Sequence, residues 1–376
     1  MPRPRSDQPP AVVRDQVADW LREARPQPLV VETSGSTGDP KRVVLTREAV
    51  LASVEATHER LGGPGAWLLT LPHAYVAGVQ VLVRSLHAGH APVLRGEGES
   101  LAEAVARLEG PRRYVSLVPT QLYRLLEAVE HDGPEALGHA LQARRDLAAL
   151  TGLDAVLLGG GPVDVDLRLR AARHGIETVA TYGMAETAGG CVYDGVPLDG
   201  VEVVTDDDSR LRIAGPMLFG GYEGDPTATA AVLRGGWFRT ADLGEVQPAT
   251  ADRTVRVRVL GRADDVVVTG GVNVPGPVVA ARLAEHPMVE ACEVIGVEDA
   301  EWGRRLVAYV VLDENHPEPT GEATADRPTA TELRDWVALV HPRSWAPREV
   351  LVVPRIPRTD RGKVDRAALL ARGDER

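Results

Sequence analysis

The chain predicts a multidomain α/β protein. Three observations carry that prediction: its 376 residues, its 44% hydrophobic content, and the alternation of short β-branched runs with longer segments of helical period. A chain of this length exceeds one hydrophobic core, so two or three domains are expected. Strands are expected at 28–31, 66–71, 114–118, 155–158 and 178–181, and helices at 47–61, 101–108, 119–129 and 163–174. Thr46 stands where an N-cap belongs, with Glu48 in the first turn, where a carboxylate favours the helix dipole. The charge-free stretch 61–83 is interrupted by glycines, Pro72 and Gln80, which suits buried strand and loop rather than a membrane span.

From about Val201 the texture shifts to shorter strands, at 211–214, 237–238 and 255–260, which predicts a β-rich subdomain over about 200–260. Strands at 266–269 and 292–297 then begin a separate small α+β module, so the main boundary is expected between residues 1–262 and 263–376. The segment 315–329 reads as an exposed loop, followed by a helix at 330–340 for which Thr329 and Glu332 have capping-box spacing.

A net charge of −12 and a pI near 5.4 exclude a general affinity for nucleic acid or anionic membrane; an anionic substrate therefore needs a local basic pocket. Cys191 and Cys292 lie too far apart in sequence for a metal cluster or a disulfide framework and read as packing residues, as a reducing cytoplasm allows. Residues 1–10 lack the apolar core of a signal peptide. The oligomeric state is not set by the sequence, and a homodimer stays open.

Five segments carry chemistry. Thr33-Ser34-Gly35-Ser36-Thr37-Gly38-Asp39-Pro40-Lys41 is a hydroxyl- and glycine-rich loop whose backbone and side-chain donors suit a polyphosphate. Asp39 and Pro40 separate Gly38 from Lys41, so it is no Walker A loop, and a plain surface turn is the alternative. In Thr181-Tyr182-Gly183-Met184-Ala185-Glu186-Thr187, Glu186 is a lone carboxylate in an uncharged stretch. It suits Mg²⁺ on nucleotide phosphates, or else solvent. Tyr182 reads as a base-stacking ring or a core aromatic. Asp242, in 235–244, suits a ribose diol or a turn, and Arg262 suits the same ribose. Asp264 and Asp265 sit where the chain passes between domains, and Lys363 lies on a polar loop, 357–366.

In this order and spacing, the segments resemble the successive core motifs of the acyl-adenylate-forming (AMP-binding) superfamily of acyl-CoA synthetases, adenylation domains and luciferases. The resemblance implies that superfamily's fold: large N-terminal α/β layers, a β-rich subdomain and a hinged C-terminal domain. It further implies ATP, Mg²⁺ and coenzyme A. Residues 33–41 would close on the β- and γ-phosphates, Glu186 would bind Mg²⁺, and Gly159, Gly160 and Gly161 would line the adenine and acyl pocket, with Tyr182 and Gly183 beside it. Asp242 would hold the ribose with help from Arg262, Lys363 would be the catalytic lysine and Asp264 the hinge.

The segment 71–84 resembles the acyl-pocket motif of o-succinylbenzoate-CoA ligases of menaquinone synthesis, implying an aromatic dicarboxylate substrate with Tyr75 and Gly78 at its pocket. Tyr75 stands where many relatives have histidine, and Ala185 where many have threonine. Only 32 residues precede the phosphate loop, as in the short actinobacterial form. Arg84 is the sole formal charge in 61–94, and is read either as the partner of the non-reacting carboxylate or as a structural cation. Other readings are activation of a different acid, loading of a carrier protein, an oxygenase, or an adenylate-binding regulator without catalysis.

Overall fold

A computed structural model describes residues 2–33, 40–130, 137–247, 254–313, 327–357 and 364–373. They divide into two compact units: Met1–Val204 with Arg212–Arg239 and Val246–Val257, and Thr205–Leu211 with Thr240–Glu245 and Arg258–Arg376.

The first unit begins with α1 (Pro10–Arg22), which buries Val13, Val17 and Trp20. Strands β1 (Leu29–Glu32) and β2 (Arg42–Leu45) pair antiparallel and flank the phosphate-loop segment, and Gly221–Tyr222 pairs with β2 on its other side. Helix α2 (Arg47–Arg60) starts at Thr46, whose hydroxyl accepts from the Ala49 N–H. Next come β3 (Ala66–Leu69), α3 (Val76–His87), β4 (Val93–Leu94), α4 (Leu101–Ala106), β5 (Arg113–Leu117), α5 (Pro119–Glu130), α6 (Leu137–Leu150), β6 (Ala155–Leu158), α7 (Val165–Arg173), β7 (Thr178–Met184), β8 (Gly189–Tyr193) and β9 (Val196–Pro197).

Strands β3 to β9 form one sheet in the order β4-β3-β5-β6-β7-β8-β9, parallel from β4 to β7 and antiparallel thereafter. Leu68, Val115, Val156 and Leu158, all buried, pack with Leu122, Leu126, Leu147 and Leu167 from the covering helices. The order reverses between β3 and β5. An open parallel sheet binds ligands beyond its strand C-termini, at such a reversal. The turns after β6 and β7 are therefore held at the functional end of a rigid layer.

Helix α3 corrects the expectation for 61–83. Gln80, Arg84 and His87 recur at helical spacing, but Gln80 and Arg84 are buried with the rest of 78–85, so this polar face meets protein rather than water. At 12 residues it is far short of a membrane span. No helix among the described residues is long and apolar enough to cross a membrane.

Strands β10 (Glu202–Thr205), β11 (Arg210–Ala214), β13 (Leu233–Arg234), β14 (Trp237–Gln247) and β15 (Arg256–Arg262) form a five-stranded sheet, as the β-rich texture predicts; β12 is Gly221–Tyr222 and α8 is Pro226–Val232. In the second unit β16 (Val266–Thr269) and β17 (Val272–Pro275) make a hairpin whose turn, Gly270-Gly271, takes φ of 55° and 78°. Two left-handed residues suit the type I′ turn that matches strand twist. Helix α9 (Gly276–Ala284) precedes the antiparallel pair β18 (Val289–Asp299) and β19 (Gly303–Leu312), and β20 (Glu349–Val352) runs parallel to β19. Helix α10 (Ala330–Ala338) carries the expected capping box between Thr329 and Glu332, and α11 (Arg366–Gly373) follows. Most of the expected loop 315–329 lies outside the described residues.

Packing in the first unit makes two substitutions informative. At the β7–β8 junction, a Cβ added to Gly183 would stand 2.0 Å from the Gly189 carbonyl oxygen and 2.6 Å from Gly190 Cα. Both are backbone atoms of the paired strand and cannot swing away. Gly183→Ala is expected to lower the unfolding free energy by about 2–4 kcal/mol in urea titration, and an unchanged midpoint would contradict this. Burial first, then the charges of Arg84 and His87, hold His58 at about 4 instead of 6.5. The folded state resists a proton that the unfolded chain accepts. The corresponding stability is therefore complete above pH 6.5 and is lost as pH falls toward 4, on the order of 2–3 kcal/mol. His58→Gln should flatten the fall in unfolding free energy between pH 7 and 4.5 relative to the parent.

Candidate nucleotide and acid site

The site grows from the turn that follows β7. Residues Ala185–Thr187 form one 3₁₀ turn, closed where the Thr187 hydroxyl accepts from the Met184 N–H at 2.9 Å and donates to the Gly189 carbonyl at 2.7 Å. The next residue, Ala188, takes φ 49°, a left-handed conformation that costs a residue with a Cβ. Its carbonyl accepts from the Ser53 hydroxyl at 3.2 Å and from the Gln80 amide, so α2 and α3 clamp the strained peptide.

Glu186 is buried, 8% exposed. Its Oε1 accepts from the Tyr222 hydroxyl at 2.8 Å, and its backbone carbonyl accepts from the Phe219 N–H at 2.9 Å. Phe219 packs between Tyr222 and Phe238, ring centroids 5.1 and 5.4 Å away. The Tyr222 pairing with Val43 brings β2 alongside, and Lys41 Nζ stands 4.8 Å from the centre of the Tyr222 ring. Thr33 and Lys41 pin the mouth of the phosphate loop: the Thr33 N–H donates to the Lys41 carbonyl at 2.9 Å, and the Lys41 N–H to Thr33 Oγ1 at 3.0 Å. Ser34, Gly35, Ser36, Thr37 and Gly38 lie outside the described residues, as does Lys363.

The donor set fits a magnesium ion carried by a nucleotide. Among the described residues no group of three or more His, Cys, Asp or Glu gathers to hold a metal. Glu186 offers one carboxylate, with one oxygen engaged by Tyr222. Mg²⁺ is ordinarily held by one or two carboxylates, phosphate oxygens and water, which matches this arrangement.

Gly159, Gly160 and Gly161 follow β6. A Cβ on Gly159 would lie 2.3 Å from Thr181 Oγ1, whereas one on Gly161 would meet nothing within 4 Å. The run thus packs tightly on β7 at one end and faces open space at the other. Tyr182 and Gly183 occupy the neighbouring end of β7, both half-buried. Gly78 lets the first turn of α3 approach the Pro72 carbonyl, where a Cβ would stand 2.3 Å away, and Tyr75 at the N-cap of α3 is 38% exposed.

Arg84 is corrected. It lies six residues beyond Gly78, about 9 Å along the helix, and is 4% exposed. Its guanidinium donates to Thr57 Oγ1 and to the Tyr193 hydroxyl, each at 3.2 Å, and stands 5.0 Å from the Trp67 ring centre. It is a core cation between α2, β3 and β8, enclosed by protein. A cavity of about 590 Å³ opens beside β3 and β4; Leu71 and His73 of the segment 71–84 line it, but Tyr75, Gly78 and the residues expected to bind nucleotide do not. Its charged lining, Glu99, Glu103 and Asp146 against Arg95, disfavours a dicarboxylate.

In the second unit, the Asp242 N–H donates to Thr240 Oγ1 at 3.0 Å, which fixes the backbone, and Arg262 stands 3.6 Å from Asp242 Oδ1. These two expected ribose residues are therefore neighbours. Asp264 is in a 3₁₀ turn, Ala263–Asp265, directly after Arg262. Cys191 is fully buried, which pushes its thiol up to about 12, and burial raises Cys292 too. Both are inert packing groups, as expected.

Sequence reasoning missed Tyr222. The signal was present as Gly220-Gly221-Tyr222, where Gly221 takes φ 135°. A second overlooked signal is the lysine content: Lys41 and Lys363 are the chain's two lysines, beside forty arginines. Where arginine serves every other cationic position, the two positions that keep a compact ammonium are those assigned to phosphate chemistry.

The AMP-binding enzyme family matches residues 29–222, and the AMP-binding enzyme C-terminal domain matches residues 279–363. A probable 2-succinylbenzoate-CoA ligase of Mycobacterium tuberculosis is 45% identical over 349 residues, 92% of this chain and 84% of the relative. Among solved structures, o-succinylbenzoate CoA synthetase (MenE) of Bacillus subtilis in complex with the acyl-adenylate intermediate OSB-AMP superposes with a TM-score of 0.64 at 27% identity, covering 91% of this chain and 68% of that one. The same enzyme in complex with ATP and magnesium ion gives a TM-score of 0.63 at 26% identity, covering 91% and 69%. With both family regions matched and a relative of 45% identity along nearly its whole length, the chain belongs to the AMP-binding enzyme family.

Proposed function

We propose that the protein is an AMP-forming acid-CoA ligase that converts o-succinylbenzoate to o-succinylbenzoyl-CoA through an acyl-adenylate, in the menaquinone pathway of the cytoplasm. The relative of 45% identity carries the choice of acid, and the pairing of Glu186 with Tyr222 beside Lys41 supports the metal-triphosphate chemistry.

A carboxylate is a poor electrophile. One oxygen of the acid attacks the α-phosphorus of ATP, the bond to the β-phosphate oxygen breaks, and pyrophosphate leaves. The thiol of coenzyme A then attacks the acyl carbonyl, the acyl–oxygen bond breaks, AMP leaves and the thiol proton passes to solvent. In the first step two anions meet, so opposed charge must be provided in advance. Lys41 and the donors of residues 33–41 are assigned to the β- and γ-phosphates, and Lys363 to the α-phosphate and the attacking carboxylate. Mg²⁺, held by Glu186 and the phosphates, supplies Lewis-acid neutralisation of the departing pyrophosphate. Asp242 and Arg262 hold the ribose, Tyr182 flanks the base, and Gly159, Gly160, Gly161, Gly183, Gly78 and Tyr75 border the acyl side. Residues from about 263 onward turn about Asp264 between the two steps, withdrawing Lys363 before the thiol arrives.

Incubation with ATP and o-succinylbenzoate should release pyrophosphate and leave enzyme-bound acyl-adenylate, and coenzyme A should then release AMP and thioester. A second acid turned over more efficiently in pyrophosphate exchange would redirect the assignment, and no exchange with any acid would favour the adenylate-binding regulator. Lys363→Ala should slow acyl-adenylate formation by about 10²–10³-fold while leaving thioester formation from supplied acyl-adenylate nearly intact; equal losses in both steps would contradict its role. Because Arg84 is enclosed by Thr57, Tyr193 and Trp67, Arg84→Met should leave KM for the acid within about twofold, and a large rise would return Arg84 to the acid site.

A further inference from the structure

Tyr222 touches both charged groups of the metal-triphosphate site and is itself anchored through backbone and ring. Its N–H donates to Thr229 Oγ1 at 2.8 Å, its backbone pairs with Val43, and its ring packs on Phe219 at 5.1 Å. From that anchored position the hydroxyl donates to Glu186 Oε1 at 2.8 Å. The ring holds the Lys41 ammonium 4.8 Å from its centre, within cation–π range.

The arrangement answers an electrostatic conflict. A phosphate-binding ammonium and a metal-binding carboxylate attract each other, and a direct ion pair would use up the charge that each needs for its ligand. Among the described residues Lys41 and Glu186 form no ion pair. The Tyr222 ring lies against one and its hydroxyl against the other.

We propose that Tyr222 is a positioning residue that keeps Lys41 and Glu186 apart and aims each at its own ligand, the lysine at phosphate and the carboxylate at the divalent cation. This role rests on the ligase reading and makes two separable demands. Tyr222→Phe keeps the ring and removes only the donor to Glu186; Tyr222→Leu removes the ring face as well and lets the two charges meet.

Mn²⁺ binding to the protein–ATP complex, followed by electron paramagnetic resonance, and metal-free ATP binding, followed by calorimetry, separate them. Y222F should weaken Mn²⁺ about tenfold, the scale of a hydrogen bond to a charged group, with metal-free ATP affinity unchanged. Y222L should weaken both. In a Glu186→Gln background, Y222F should change Mn²⁺ binding by less than twofold, because the ionised acceptor is gone. Wild-type Mn²⁺ affinity in Y222F, equal losses of metal and ATP in Y222F, or full additivity with E186Q would each overturn the role. A Y222F chain that fails to fold would assign the hydroxyl to stability of the fold and overturn the role as well. Wild-type protein that binds no Mn²⁺–ATP would instead overturn the ligase reading itself.

Discussion

The close backbone approach of β7 and β8 at Gly183 and Gly189 is the constraint on which the site depends. Parallel strands β3 to β7 supply a stiff layer, but a carboxylate on the surface of that layer would be solvated and mobile. Because β8 folds back directly against β7, the 3₁₀ turn between them is too short to wander, and Glu186 is presented on it while buried. The left-handed Ala188 is the local cost of so tight a reversal, offset by hydrogen bonds from Ser53 and Gln80. Helices α2 and α3 thereby stabilise the sheet and hold the site turn in the same contacts.

Electrostatics then follow from scarcity. A chain of net charge −12 must gather positive potential locally if it is to bring a triphosphate and a carboxylate together. Within the first unit one carboxylate accepts from the hydroxyl of an anchored tyrosine whose ring lies against one ammonium, and within the second an arginine stands beside the carboxylate assigned to the ribose. Arg84 serves a different end: it is a buried cation whose hydrogen-bond partners Thr57 and Tyr193 are neutral, and its charge adds to the burial that depresses His58.

Residues whose signal is local are legible in the amino-acid sequence alone. The strand at 155–158, the Thr46 cap and the Thr329–Glu332 capping box all depend on neighbours within four positions, and each forms where its local pattern places it. Helix α3 is less legible: Gln80, Arg84 and His87 fall at helical spacing, but Gln80 and Arg84 are buried, and the apolar run around them reads as strand and loop. Arg84 is likewise not decided locally. A lone charge in an apolar stretch signals burial, but whether it is buried against a ligand or against protein depends on groups 27 and 109 positions away.

By itself the sequence determined the α/β class, the ordered motif set that marks an AMP-binding enzyme, and the identities of the groups with charge to contribute, above all two lysines in a chain of arginines. These are matters of residue type and local spacing. Tertiary structure alone decided which groups meet. It set the Tyr222 hydroxyl on Glu186 and the Tyr222 ring against Lys41, drew Arg84 into the core, and made Gly183 a packing necessity. Such contacts join strands and helices far apart in the chain, and no local pattern records a hydrogen bond made across 36 residues.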